Sequence, residues 1–328
     1  YKFPHAVGLI CNYIIRGGRK MSNKAKTSPG RLAYVSKKLW HDRISYAFLL
    51  PYAAVFITFT VLPVLTSAFY SFTYNNIFEP ARWVGFENYI RLFTRDDVFL
   101  TALQNTLVFA IITGPGGYIL SFVVAWLINE LSPFLRTLFV LIFYSPTIAG
   151  SVYVIFGTLF SGDIYGYVNG ALINFGFITD PIEWLTDPQY IKVVIILCVL
   201  WSSMGAGFLS FVAGFKNIDK QYYEAASIDG LRNRWQELWY VTLPMMKPQL
   251  MFGAVMSITG AFSIHEVTVA LAGFPSTEYA AHTMVNHMWD YGYQRFEMGY
   301  ASAIATILFL LMLFSRRLIN ILLERVGR

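Results

Sequence analysis

The chain has 328 residues, 56% of them hydrophobic and 13% charged, with a mean hydropathy of +0.50 and a formal net charge of +6. Those values exclude an ordinary soluble domain and place the chain among membrane proteins. The positive balance follows from where the basic residues fall between apolar stretches and does not signal nucleic-acid binding.

Residues 1–43 hold ten Lys or Arg and read as a basic tail, suited to contact with anionic lipid headgroups. Within it, VGLICNYII at 7–15 is apolar but too short to span. It lacks a small-residue cleavage site and its basic residues follow the apolar run, which argues against a signal peptide. Met21 is an alternative start that would make the first twenty residues dispensable. A spanning helix needs about 20 apolar residues, and six stretches qualify, at roughly 45–72, 100–128, 134–160, 191–215, 248–271 and 299–320.

The first span contains Pro51 and Pro63, which predict kinks. Gly114-Pro115-Gly116-Gly117 interrupts the second as either a hinge or, the favoured reading, a close-packing site. The third is expected to break at Tyr144-Ser145-Pro146-Thr147, and the fourth carries the small, polar run Trp201 to Gly207. The fifth ends at Ala272-Gly273-Phe274-Pro275, and the last finishes at Arg316-Arg317. The chain is thus divided into a basic tail (1–43), a membrane domain (44–320) that includes a loop at 216–247, and a short tail (321–328). Cys11 and Cys198 are not placed for a disulfide, and no CxxC or Cys/His cluster offers a metal site.

Lys and Arg concentrate in the tail, at Arg136, in the 216–247 loop and from Arg316 onward, whereas the alternate loops hold only Arg82, Arg91, Arg95 and Arg295, with Lys192 at a span edge, against eleven acidic residues. Basic residues stay on the cytoplasmic side, so both termini and the 216–247 loop are expected inside.

That loop carries YYEAASIDGLRNRWQELWYVTLP, Tyr222 to Pro244. Asp219 is placed to cap a short helix from Lys220. Three-and-four spacing puts Tyr222, Ala225, Ala226 and Asp229 on one face, with two alanines allowing close approach of a partner. Gly230 suits the left-handed end of the helix, and a second short helix is expected at about 232–241.

Glu224-Ala225-Ala226, a glycine six residues after Glu224, and Leu243-Pro244 before a span resemble the EAA loop of ABC-transporter permeases. Two further stretches are similar to the sugar-uptake permeases of binding-protein-dependent importers, the maltose and glycerol-phosphate group. They are GFENYIRLFTRDDVFLTALQNTL from Gly85 and GFPSTEYAAHTMVNHMWDYGYQRFEMGYASAIATILFLL from Gly273. The resemblance covers most of 45–320. It implies an all-α membrane protein with six core transmembrane helices of a type I importer permease and a cytoplasmic coupling loop. It also implies a homologous second permease, an ATPase dimer that holds ATP and Mg, an extracytoplasmic solute-binding protein and an inner-membrane location. Tyr222, Glu224, Ala225, Ala226, Asp229 and Gly230 would then contact the ATPase. Two departures stand out: ten residues separate Gly230 from Val241 where nine are usual, and Ile264-His265 replaces the common Phe-Asp.

No Gly-Lys dipeptide occurs, so the chain has no Walker A loop and binds no cofactor of its own. For the substrate pathway the candidates are Trp201, Ser202, Ser203 and Gly205, in the region where the resemblance places sugar contacts, with His265 and Glu266, an ionisable pair inside a span. Adjacent helical residues point about 100° apart, so one of the pair can line the pathway while the other contacts a helix. The expected cargo is an oligosaccharide, with a uronate oligomer admitted by His265. A proton-coupled carrier using His265 and Glu266 is the alternative. A membrane-embedded enzyme has little in its favour, because HExxH would require His where Val269 stands.

Overall fold

The computed structural model describes residues 43–324. Their regular structure is helical, apart from a short antiparallel ribbon that pairs Thr73 with Trp83 and Tyr74 with Arg82. The chain divides into two compact units after Pro63. The first is represented by the start of an apolar helix, α1 (Arg43–Tyr70), which crosses that division. Proline lacks the amide that closes a helical turn and its ring crowds the preceding turn. A wide π turn at Ile57–Val61 lies just before Pro63, where that crowding falls. The basic tail and VGLICNYII lie outside the described residues.

In the second unit the helices are α2 (Glu87–Thr94), α3 (Asp97–Asn129), α4 (Pro133–Ala149), α5 (Val152–Leu159), α6 (Tyr167–Asn174), α7 (Ile191–Ser202) and α8 (Ala206–Asn217). They are followed by α9 (Lys220–Ile228), α10 (Arg234–Glu237), α11 (Lys247–Phe262), α12 (His265–Ala272), α13 (Met284–Trp289) and α14 (Met298–Glu324). Four stretches are long and apolar enough to cross a bilayer: Arg43–Tyr70, Asp97–Asn129, Ile191–Asn217 and Met298–Ile321. Two bent pairs, α4 with α5 and α11 with α12, pass the same test jointly and bring the number to six when each pair is counted as one span.

The third span is corrected in detail. The helix runs unbroken through Tyr144 to Thr147, and the break falls at Gly150, whose φ of +64° suits a residue without a side chain. There the chain turns by 93° into α5. Pro146 disturbs the helix less than expected because it sits one turn before the end, and its carbonyl accepts the Gly150 amide. At the other end of the chain, α14 continues past Arg317 and residue 320 to Glu324.

The centre of the unit is the mutual packing of α3, α8 and α11. Glycines permit it. A β-carbon at Gly117 would lie 2.7 Å from Ser203 Cβ, and one at Gly253 would enter the Phe211 ring. Gly207 faces Gly253 so closely that a β-carbon on Gly207 would stand 3.4 Å from the Gly253 backbone. The GPGG stretch is therefore a packing site in a continuous helix, with Gly116 against Leu200 and Gly114 against Ala261.

At the end carrying Asp96, residues 273–297 are sewn to α3. Asn105 Nδ2 donates to the carbonyls of Tyr279 and His282 at 2.9 Å each, and Thr106 Oγ1 accepts the Met284 amide. Asp96 caps α3 by accepting the Phe99 amide, and its Oδ2 also receives Tyr300 Oη at 2.7 Å and meets His287 Nε2 at 2.9 Å. His287 Nδ1 lies 3.3 Å from His282 Nε2, while His282 Nδ1 is buried without a partner. Burial opposes the charge on Asp96, but the hydrogen bonds from His287, Tyr300 and the Phe99 amide outweigh it and hold its carboxyl well below the usual range. Burial, with the neighbouring His287, pushes His282 down to about 4.

Two outcomes follow from this packing. Gly253→Ala should destabilise the solubilised protein by about 1–3 kcal/mol through overpacking, and Phe211→Leu in the same chain should restore part of the lost melting temperature. Because His282 takes a proton less readily when folded than when unfolded, stability is intact above about pH 6.5 and falls as the pH drops toward its folded value. The expected loss is on the order of 3 kcal/mol. It is measurable as a melting temperature that declines between about pH 6.5 and 4 and declines less in His282→Gln.

Candidate functional site

Two regions gather the residues singled out in the sequence. The first is the α8–α11 connection. Ile218 is extended, and Asp219 Oδ1 accepts the Gln221 amide at 3.1 Å, so α9 starts at Lys220 as its sequence dictates. It ends at Gly230, with φ +98°, where the Leu231 amide reaches back to the Ala226 carbonyl and satisfies one of the free carbonyls of the last turn. Asn233 Oδ1 then accepts the Trp235 amide and starts α10.

The second helix differs from expectation. It begins at Arg234 and continues beyond Val241, through a π turn at Leu238–Thr242 and a last turn at Leu243–Met245. A π turn holds one residue more than an α turn, so this is a form of backbone in which one added residue near Val241 would fit. Leu243-Pro244 consequently closes this element, and the next span opens at Lys247.

Of the predicted contact face, Tyr222, Glu224, Ala225 and Asp229 are exposed. Ala226 is not: it is 9% exposed and turns inward with Tyr223, three residues before it. Tyr223 Oη lies 2.9 Å from Thr242 Oγ1, which is buried. Spacing alone grouped Ala226 with Tyr222, but a short helix lying on a support must bury one flank, and Tyr223 selects which. Ile228, 85% exposed at the end of α9, was missed. Its signal was an isoleucine in an otherwise polar block.

The connection is tied back to the spans at three points. Arg234 Nη1 meets Glu130 Oε1 at 2.5 Å, and the Trp126 and Trp235 rings lie 5.1 Å apart. Leu238 packs into the cluster of Ala125, Ile128, Phe215 and Met246. The ion pair is exposed and contributes roughly 0.2–1 kcal/mol; the apolar contacts weigh more. A polar cavity of about 570 Å³, walled by Arg136, Lys216, Lys220 and Glu237 among others, separates α9 and α10 from the span ends.

The second region is a cavity of about 450 Å³ among α3, α4, the α7–α8 break and the α11–α12 bend. At the α7–α8 break the Ser203 carbonyl accepts the Gly205 amide at 2.8 Å and also receives Ser121 Oγ at 3.2 Å, while Thr147 Oγ1 donates to Met204 O at 3.2 Å, so neighbouring helices brace the broken backbone. Ser202, Ser203, Gly205 and Glu266 line this cavity. Trp201 and His265 do not. Trp201 is 47% exposed on the other flank of α7. His265 Nδ1 lies 2.9 Å from Asn286 Oδ1, and its ring packs beside Trp289. Both residues of the pair sit at the start of α12, just beyond a 40° bend, and they diverge there. Among the described residues, no three His, Cys, Asp or Glu side chains gather as a metal-ligand set.

Residues 107–328 match the family described as binding-protein-dependent transport system inner membrane component. The chain belongs to that family. It is thus an integral, multi-pass membrane protein of the permease class. The probable ABC transporter permease YesP of Bacillus subtilis (strain 168) is 31% identical over 84% of this chain and 89% of its own. The lactose transport system permease LacF of Rhizobium radiobacter is 33% identical over 70% of this chain and 76% of its own. A solved bacterial alginate ABC transporter, in complex with an alginate pentasaccharide-bound periplasmic protein, superposes with a TM-score of 0.72. It shares 23% identity and covers 89% of this chain and 98% of that one, a likeness of fold.

Tyr223→Phe removes the bond to Thr242, worth about 1 kcal/mol. Amide exchange over residues 220–228 should then rise roughly fivefold, while the span helices stay protected. Hydrogen–deuterium exchange by mass spectrometry reads both.

Proposed function

We propose that this chain is the transmembrane subunit of an ATP-driven importer and forms half of the translocation pathway for an oligosaccharide. The observation that carries the reading is the mounting of α9. Its exposed flank offers Tyr222, Glu224, Ala225, Ile228 and Asp229 to a partner, while its other flank is bonded through Tyr223 to Thr242 in the π turn that follows α10. A push on α9 has no slack linker in which to dissipate. It passes through Arg234 and Trp235 to the end of α3, and through Ile218 to α8.

In this reading α9 docks on an ATPase subunit, one of two, which hold ATP and Mg. Ala226 acts from behind by keeping the helix close to its support. A second permease completes the pathway, and an extracytoplasmic binding protein delivers the cargo. The charge distribution supports cytoplasmic placement for both termini and for α9. A relative named for lactose transport supports a glycosidic cargo. The cavity beside the α7–α8 break is the pathway segment, with Ser202, Ser203, Gly205 and Glu266 in its wall. His265 and Glu266 point apart, which deprives a proton-coupled carrier of the relay it would need.

Glu224→Ala and Gly230→Val are each expected to abolish cargo-stimulated ATP hydrolysis by the assembled complex in vesicles while leaving membrane insertion intact. Gly230 is sensitive because its backbone lies in the left-handed region. Normal stimulation in both variants would sink the mechanical reading.

A further inference from the structure

We propose that Glu266 makes the cavity selective for uncharged sugars, acting as the hydrogen-bond acceptor for cargo hydroxyls and as a barrier to acidic ones. The proposal rests on reading this cavity as the sugar path, and it adds the charge class of the cargo and the residue that sets it.

Glu266 is exposed at the first turn of α12 and lines the cavity. Among the described residues its carboxylate accepts no hydrogen bond and meets no cation. No Lys, Arg or His contributes to the wall. His265, the nearest basic residue in sequence, is engaged with Asn286 and Trp289 on another side of α12. The remaining polar wall is hydroxyl: Tyr144, Ser202, Ser203, Ser257 and Ser263 are among its members. Ser202 and Ser203 spend their protons on the carbonyls of Cys198 and Leu200, so toward the cavity their oxygens act as acceptors.

A wall with acceptors and one free carboxylate suits a ligand rich in donors. Adjacent hydroxyls of a sugar ring can donate to both oxygens of a carboxylate, and such charge-assisted bonds are about twice as strong as neutral ones. A uronate brings a second carboxylate against a wall to which this chain's described residues contribute no compensating cation, where charges are screened less than in bulk water. The alginate-bound neighbour does not bear on this choice, because 23% identity transfers the fold and not the cargo.

The test uses the assembled importer in vesicles, held outward-facing with ATP and vanadate. Cys11→Ser and Cys198→Ala remove the native thiols, and Ser257→Cys reports occupancy through its reaction with a small thiol reagent. Thr147→Cys, in another part of the wall, serves as a second reporter. The probes are α-1,4-linked galactotriose and α-1,4-linked trigalacturonate, which differ only in carrying a hydroxymethyl or a carboxylate at C6 of each ring. Galactotriose should protect the reporters at concentrations about tenfold lower than trigalacturonate, and Glu266→Gln should close that gap. Equal or better protection by trigalacturonate with Glu266 intact overturns the selectivity while leaving the path reading in place. Reactive reporters that neither sugar protects overturn both.

Discussion

Everything else in the second unit depends on how closely α3, α8 and α11 approach one another. The Phe211 ring occupies the space that a side chain at position 253 would take, and Gly117 lets Ser203 rest against the α3 backbone. In a membrane, helices gain little by excluding lipid from their interface, so intimate contact of this kind supplies much of the attraction. The same contact sets the distances at both ends. It brings the α7–α8 break against Ser121 and Thr147, which opens the cavity, and it brings Phe215, Leu238 and Met246 together beneath the loop.

The two functional regions are therefore not independent. α8 begins at the cavity with Gly205 and ends at Ile218 beside α9. α11 begins after the π turn that supports α9 and ends at the bend that presents Glu266. In the mechanism proposed above, a displacement of α9 would reach the cavity wall along these two packed rods, with only the capping residues Ile218 and Asp219 between α8 and α9.

What the sequence made legible was local. Asp219 and Gly230 announce the two ends of α9 because capping involves only neighbours in the chain, and the six apolar stretches declare themselves by length. The direction of Ala226 was not readable, since it depends on Thr242, nineteen residues after Tyr223. Nor was the Asp96–His287–His282 chain, whose first two members lie 191 residues apart. Trp201 drew attention by its chemistry, yet the flank of α7 that faces the cavity is set by helices remote in sequence. The spacing between Gly230 and Val241 was countable in the sequence, but the π turn at Leu238–Thr242 required the backbone.

The bend at Gly150 has a consequence for the surrounding lipid. With 17 residues, α4 is about 25 Å long, whereas the hydrocarbon layer of a typical bilayer is about 30 Å thick. Its neighbour α3, with 33 residues, is about twice that length. α5, turned through 93° and packed against Leu271 and Ile195, runs crosswise and adds almost nothing to that length. The subunit therefore sets a short apolar rod beside a long one, and a bilayer that meets both would have to accommodate two different lengths on its two flanks.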